Sequence, residues 1–258
     1  MNLIALPAFA DNYIWMLHDG ARAVVVDPGD AAPVRAALDA QGLALAGILV
    51  THHHPDHVGG VDDLRPRLQG PVYGPAREKI PGPYLALHDG ASIEVLGLRF
   101  SVLDVPGHTA GHIAYLQQAA AGAKGPLLFC GDTLFSAGCG RLFEGTPAQM
   151  KTSLERLAAL PAETQVCCTH EYTLSNLRFA AAVEPGNRAR ADYEQRCRAR
   201  HEAGMPTLPS SIGLERQINP FLRCDAPEVV ASARAQGAAS DEAVAVFTAL
   251  REWKNRFR

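Results

Sequence analysis

Seven consecutive residues, Thr51-His52-His53-His54-Pro55-Asp56-His57, set three spaced imidazoles and a carboxylate within six positions, enough to hold two metal ions side by side. Structural zinc sites are closed, four-coordinate and rich in cysteine. This run offers only nitrogen and oxygen ligands and leaves coordination open to water, so it points to metal-assisted chemistry. His52 and His54, two apart in an extended loop, can turn toward one point while His53 between them faces away and is set aside as a ligand. Pro55 fits the first turn of a helix, which puts Asp56 and His57 where exposed N–H groups favour a carboxylate, and there they can serve a second ion. His108, in Pro106-Gly107-His108-Thr109-Ala110-Gly111-His112, and His170 can complete two separate coordination sets. Asp132, in Cys130-Gly131-Asp132, is the natural bridge. Asp27 reads as a carboxylate that orients a ligand imidazole rather than binding metal. His112 reads as a supporting residue, and His18, His88 and His201 as surface or hydrogen-bonded core histidines.

Two ions about 3.5–4 Å apart hold a bridging water and lower its pKa toward about 7, so no serine or cysteine nucleophile is required. A carbonyl polarised by one ion would collapse to a tetrahedral alkoxide stabilised by both. A thiolate leaving group, whose conjugate acid has a pKa of about 8.5, needs little protonation as it departs. Thioesters are therefore favoured over amides.

The elements that must position these groups follow a simple rhythm. Short apolar runs at 23–26, 46–50, 100–105, 127–130 and 165–168 read as buried strands. Each is followed closely by a candidate group: Asp27, His52 with His54, His108, Asp132 and His170. In layered α/β folds functional groups gather on loops at one end of a sheet, which lets distant segments converge. Helical patterns intervene at 33–41 and 147–159, the latter with Thr146 as N-cap and Pro147 at N1. Beyond His170 the texture turns helical, at about 175–183, 188–203, 226–236 and 240–257, with a Pro-rich connector from Pro206 to Pro220. The Ala-Gly stretch 119–125 reads as a loop between strands. In the last helix Val246, Leu250, Trp253 and Phe257 fall within an arc of roughly 60° and form its buried stripe, with Arg251, Lys254 and Arg258 about 90° away.

With 258 residues and 47% hydrophobic content the chain can bury a substantial core. Its longest apolar runs fall far short of the roughly 20 residues of a membrane span. The segment from Leu3 to Ala10 has no basic residue before it and is interrupted by Pro7, which argues against a secretory signal. Six cysteines without a C-x-x-C spacing fit a reduced, cytoplasmic compartment, and the Cys167-Cys168 pair beside His170 reads as core. Net charge is −3, but residues 1–170 carry 11 Lys+Arg against 16 Asp+Glu, while 171–258 carry 13 against 11. An acidic metal-rich part and a basic tail suit a site where carboxylates hold cations and a separate cationic surface receives an anionic substrate group. Nothing in the sequence suggests a basic groove for nucleic acid.

The joint pattern T-H-x-H-x-D-H at 51–57, P-G-H-T-x-G-H at 106–112, G-D at 131–132 and T-H-E-Y at 169–172 resembles the metallo-β-lactamase-fold hydrolases. Within them the chain is similar to the glyoxalase II, or hydroxyacylglutathione hydrolase, family. The likeness extends to Asp11-Asn12-Tyr13 and to 135–145, 176–180, 206–213 and 219–223, so nearly the whole chain is covered. It implies an α/β fold, a metallo-β-lactamase-like αββα sandwich over residues 1–170 carrying catalysis, with a C-terminal α-helical substrate-binding domain over 171–258. It implies that His52, His54 and His108 bind one metal and Asp56, His57 and His170 the other, with Asp132 bridging. The ions would be two divalent metals, zinc foremost, with iron or manganese compatible. The substrate would be a glutathione thioester such as S-D-lactoylglutathione, bound through Arg141, Tyr172, Arg251 and Lys254, the last two matching the family's R-x-x-K. Phe143 would be a fifth substrate contact, standing where many relatives have a tyrosine, and it cannot donate a hydrogen bond. The expected protein is a cytoplasmic monomer with no membrane or nucleic-acid partner. A persulfide dioxygenase of the same superfamily would use one iron and would not normally carry this helical tail.

Overall fold

A computed structural model describes residues 1–118 and 125–257. In chain order the elements begin with β1 (Asn2–Ala8), β2 (Asn12–His18), β3 (Arg22–Val26), α1 (Ala31–Gln41), β4 (Ala44–Leu49), α2 (Pro55–Val58) and α3 (Val61–Leu64). Next come β5 (Val72–Pro75), β6 (Leu85–Leu87), β7 (Ser92–Val95), β8 (Leu98–Asp104), β9 (Ile113–Gln117), β10 (Leu127–Gly131), β11 (Leu134–Phe135) and β12 (Gly138–Cys139). The rest are α4 (Pro147–Ala158), β13 (Gln165–Cys168), α5 (Thr173–Val183), α6 (Arg188–Glu202), β14 (Ser210–Ser211), α7 (Ile212–Ile218), α8 (Pro227–Ala235) and α9 (Ala243–Arg256). The chain divides into two compact units. The first comprises Met1–Asp104, Ala110–Gly131 and Cys167–His170; the second comprises Val105–Thr109, Asp132–Val166 and the chain from Glu171 onward.

The first unit holds a mixed sheet ordered β1-β2-β3-β4-β5-β6, in which β1, β2 and β3 are antiparallel and β3 to β6 parallel. It also holds β7, β8, β9 and β10, joined antiparallel, and after β10 the last two residues of β13. Its core joins Ile14, Met16, Val25, Ile48 and Val50 to Val34 and Leu38 of α1, all essentially inaccessible to solvent. Helix α1 forms where Asp30 caps it by accepting from the Ala32 N–H at 2.8 Å, and it ends at Gly42 with φ +64°, which closes the last turn. Parallel pairing of Val26 with Leu49 brings the ends of β3 and β4 together, and the residues that follow them, Asp27 and Thr51, meet there. Gly29 is required by close approach, since a Cβ there would lie 1.9 Å from the Asp56 carbonyl oxygen; its absence seats α2 directly on the 27–30 turn.

β1 and β2 lie outside the apolar runs expected to form strands. β1 is an edge strand interrupted by Pro7 and mostly half-buried, so it shows no clear alternation. The expected loop at 119–125 falls almost wholly outside the described residues.

In the second unit the predicted helices all form, and α4 carries a capping box in which Thr146 and Gln149 bond reciprocally. The stretch from Pro206 to Pro220, expected to be a connector, instead contains β14 and helix α7. Ser211 caps that helix, and its buried positions are Ile212, Glu215 and Ile218. A glutamate on the buried face concealed the apolar periodicity. The Glu215 carboxylate accepts from Ser136 Oγ at 3.0 Å, from the Ala137 N–H at 2.8 Å and from Asn219 Nδ2 at 3.1 Å. Asn219 Nδ2 also donates to the Phe135 and Gly138 carbonyls, and Asn176 Nδ2 to the Ser136 carbonyl at 3.0 Å. These bonds hold the β11–β12 hairpin. In α9, Val246 and Leu250 are buried as expected, while Trp253 and Phe257 are half-buried and set their edges against Phe179. Arg258 lies outside the described residues. No helix among them is long and apolar enough to cross a membrane.

Candidate metal centre

The first unit brings five of the seven predicted ligands together. His52 Nε2 and His54 Nδ1 lie 3.1 Å apart, so both ring nitrogens address one point. His53 turns away, and its Nδ1 and backbone N–H both meet the Glu78 carboxylate. His57, at the N-terminal turn of α2, stacks close to His52 with ring centroids 3.9 Å apart. Asp56 Oδ2 lies 3.4 Å from His57 Nε2 and 3.5 Å from His170 Nε2, and these three residues offer donor atoms all within 4.8 Å of one another.

The surroundings set the tautomers. His57 Nδ1 is 3.0 Å from Asp27 Oδ2, which directs the Nε2 lone pair toward Asp56 and His170. Asp27 also accepts from the Thr51 N–H and hydroxyl, each at 2.7 Å, and Thr51 Oγ lies 3.1 Å from His52 Nδ1. Asp27 thus orients ligands, and its φ of +52° turns the chain sharply at the strand end. His170 Nδ1 meets Asp11 Oδ1 at 2.8 Å, and Asn12 Nδ2 donates to Asp56 Oδ2 at 3.0 Å. Neither contact is foreshadowed by sequence spacing, since the partners are 159 and 44 residues apart. His112 is buried with its ring stacked on His52 at 4.5 Å, while His88 and His201 are exposed. Imidazole and carboxylate donors without thiolate fit zinc, iron or manganese. All six cysteines are buried and outside any disulfide, and the Cys168 carbonyl accepts from Trp15 Nε1.

The other two predicted ligands pair within the second unit. His108 Nδ1 donates to the Arg141 carbonyl at 2.8 Å, leaving Nε2 3.3 Å from Asp132 Oδ2. Gly140 permits this, because a Cβ there would stand 1.9 Å from the Asp132 carbonyl oxygen. His108 and Asp132 open onto a cavity of about 530 Å³ whose wall includes Arg141, Phe143, Tyr172, Arg251 and Lys254, all five expected substrate contacts. Phe143 is 62% exposed and sets its ring edgewise to His108 at 5.3 Å. Tyr172 packs edgewise on Phe135. Arg251 is buried, donates to the Cys139 carbonyl at 2.7 Å and lies over the Phe221 ring. Lys254 Nζ lies over the Phe179 ring, 3.3 Å from the Ser175 carbonyl, and burial together with Arg251, Arg178 and Arg141 pulls its pKa down to about 8. Cys139, Ser175 and Asn176 also line the cavity. Cys139 and Asn176 fall in segments that carry the family likeness, whereas nothing in the residue pattern marks Ser175. Burial raises the Cys139 thiol pKa, which makes it a poor nucleophile.

Comparison with known proteins adds to this geometry. The Metallo-beta-lactamase superfamily model matches residues 9–170, and the Hydroxyacylglutathione hydrolase C-terminus model matches residues 171–257. The hydroxyacylglutathione hydrolase of Albidiferax ferrireducens is 60% identical over 257 residues, covering 100% of both chains. The chain belongs to the hydroxyacylglutathione hydrolase family. Its fold is the metallo-β-lactamase αββα arrangement with a C-terminal helical region. Among solved structures, ETHE1 from Myxococcus xanthus is 28% identical, with a TM-score of 0.64, over 86% of this chain and 84% of that one. TTHA1623 in a di-iron-bound form is 30% identical, with a TM-score of 0.59, over 86% of this chain and 100% of that one. Family membership and the His/Asp clusters imply divalent metal binding.

Proposed function

We propose that this chain hydrolyses the thioester of S-(2-hydroxyacyl)glutathiones, typically S-D-lactoylglutathione, to glutathione and the hydroxy acid, as a step of methylglyoxal detoxification in the cytoplasm. Residues 1–170 form the catalytic domain and 171–258 the helical substrate-binding domain. His52 and His54 with His108 would hold one divalent ion and Asp56 with His57 and His170 the other, and Asp132 would serve both. The ions are zinc, and the enzyme works as a monomer. Bound divalent metals supply Lewis acidity for the thioester carbonyl and depress the pKa of water to near neutrality.

The protein's own part is placement. Glutathione carries two carboxylates, and Arg141, Arg251 and Lys254 give the cavity the cations to meet them. Tyr172 supplies a hydroxyl, and Phe143 covers the His108 side with an apolar ring. Asp27 and the Arg141 carbonyl keep His57 and His108 in the tautomers that leave Nε2 available. The observation that carries this reading is one cavity lined by both the His108–Asp132 pair and three cationic side chains.

The test compares S-D-lactoylglutathione with a lactoyl thioester of a simple uncharged thiol. The tripeptide substrate should be preferred by at least 10² in kcat/KM. Equal rates would refute glutathione recognition, and oxygen uptake with a glutathione persulfide but no thioester cleavage would refute the reaction class.

A further inference from the structure

We propose that the turn between β1 and β2 clamps the Asp56–His57–His170 cation position, with Asp11 and Asn12 as its positioning residues. This rests on the two-cation reading above and concerns what makes one of the two positions hold its ion.

The three donors come from two distant places, α2 and the segment after β13. Each meets a partner that is not itself part of the donor group: His57 has Asp27 at 3.0 Å, His170 has Asp11 at 2.8 Å and Asp56 has Asn12 at 3.0 Å. Neighbouring residues on a strand point to opposite faces, so one strand could not deliver both Asp11 and Asn12 to one site. Asp11 lies in the turn and only Asn12 in β2, so strand alternation does not separate their side chains; the turn bends at Phe9, whose φ of +51° is a left-handed conformation that residues other than glycine seldom adopt. The backbone is fastened independently, because the Tyr13 N–H donates to the Thr169 carbonyl at 2.6 Å and Asn12 pairs with His170 in an antiparallel bridge. The two side chains are left to act on the donors.

Their chemical types match their tasks. A carboxylate behind an imidazole fixes the proton on Nδ1, aims the Nε2 lone pair at the cation and raises the ligand's basicity. A carboxylate behind Asp56 would repel it, whereas the neutral amide of Asn12 donates to Oδ2 and fixes that carboxyl's orientation without cancelling its charge. The order acid then amide therefore matters. Asp11→Asn and Asn12→Asp change the chain by almost no volume and keep the backbone fastening.

The experiment uses the full chain, stripped of metal and reloaded with cobalt(II), with stoichiometry and visible absorption followed during chelator competition. Wild type and the remote control Asp19→Asn should hold two ions per chain. Asp11→Asn and Asn12→Asp should each release one ion about 10- to 100-fold more readily while keeping the other, with the absorption of only one position altered. The melting temperature of metal-free Asp11→Asn should match wild type, which separates a clamp from a merely structural turn. Variants that hold both ions with wild-type affinity would overturn the clamp alone. A wild-type chain that binds no ion stoichiometrically would overturn the two-cation reading and the clamp with it.

Discussion

Lys254 carries the prediction that the geometry makes most quantitative. Its ammonium sits half-buried in the cavity wall among Arg251, Arg178 and Arg141, which with burial draw its pKa to about 8. A charge-assisted hydrogen bond to a substrate carboxylate contributes about 1.5–3 kcal/mol, so Lys254→Ala should raise KM about 10- to 150-fold with kcat nearly unchanged, the contact being remote from the reacting carbonyl. The same lysine predicts a pH limb. As pH climbs through about 8 the free enzyme loses that charge, and kcat/KM should fall toward tenfold per unit. Stability runs the other way: the unfolded chain keeps its lysine protonated up to its ordinary value near 10.5, binds more protons between about 8 and 10.5, and stability from this group rises over that window. Lys254→Arg keeps a charge at every accessible pH and should flatten the alkaline limb. The assay is thioester hydrolysis from pH 6.5 to 9.5 for the three proteins. An alkaline limb of equal steepness in the arginine variant, or loss of turnover without a change in KM for the alanine variant, would refute the assignment.

Two further outcomes follow from named contacts. Asp132→Ala should lose metal and hydrolysis together, because the proposed shared carboxylate is gone; retained metal stoichiometry and rate, measured by elemental analysis and assay, would rule the bridge out. Glu215→Gln replaces an acceptor with a donor beneath the β11–β12 hairpin, costing about 1–3 kcal/mol. At roughly 2–4 °C per kcal/mol for a chain of this size the melting temperature should drop by about 2–12 °C, and an unchanged melt would contradict the bonding scheme.

What the sequence made legible is the part governed by local pattern. Apolar runs at β3, β4, β10 and β13 each end beside a candidate group, since a parallel or buried strand reads as a continuous hydrophobic stretch, whereas β8, also expected to be buried, is antiparallel and buries only Phe100 and Val102. The side-chain directions of His52, His53 and His54 also followed from extended-chain alternation. What escaped is long-range or polar. Helix α7 was hidden because Glu215 takes a buried position, its bonds coming from residues nearly 80 positions earlier. Asp11 and Asn12 meet partners 159 and 44 residues away in the chain. Arg251 falls on a basic arc beside Lys254 by periodicity, yet packing buries it against the Cys139 carbonyl while Lys254 is half-buried beside Ser175. Periodicity marks a face and is silent about which polar group that face will meet.

Hydrolysis should depend on paired divalent ions held by these imidazoles and carboxylates. Chelated protein should be reloaded stepwise with zinc while S-D-lactoylglutathione hydrolysis and bound metal are measured in the same samples. The rate should rise with occupancy and reach its maximum at two ions per chain. Full turnover by metal-free protein, or a chain carrying two ions that leaves the thioester intact, would contradict it.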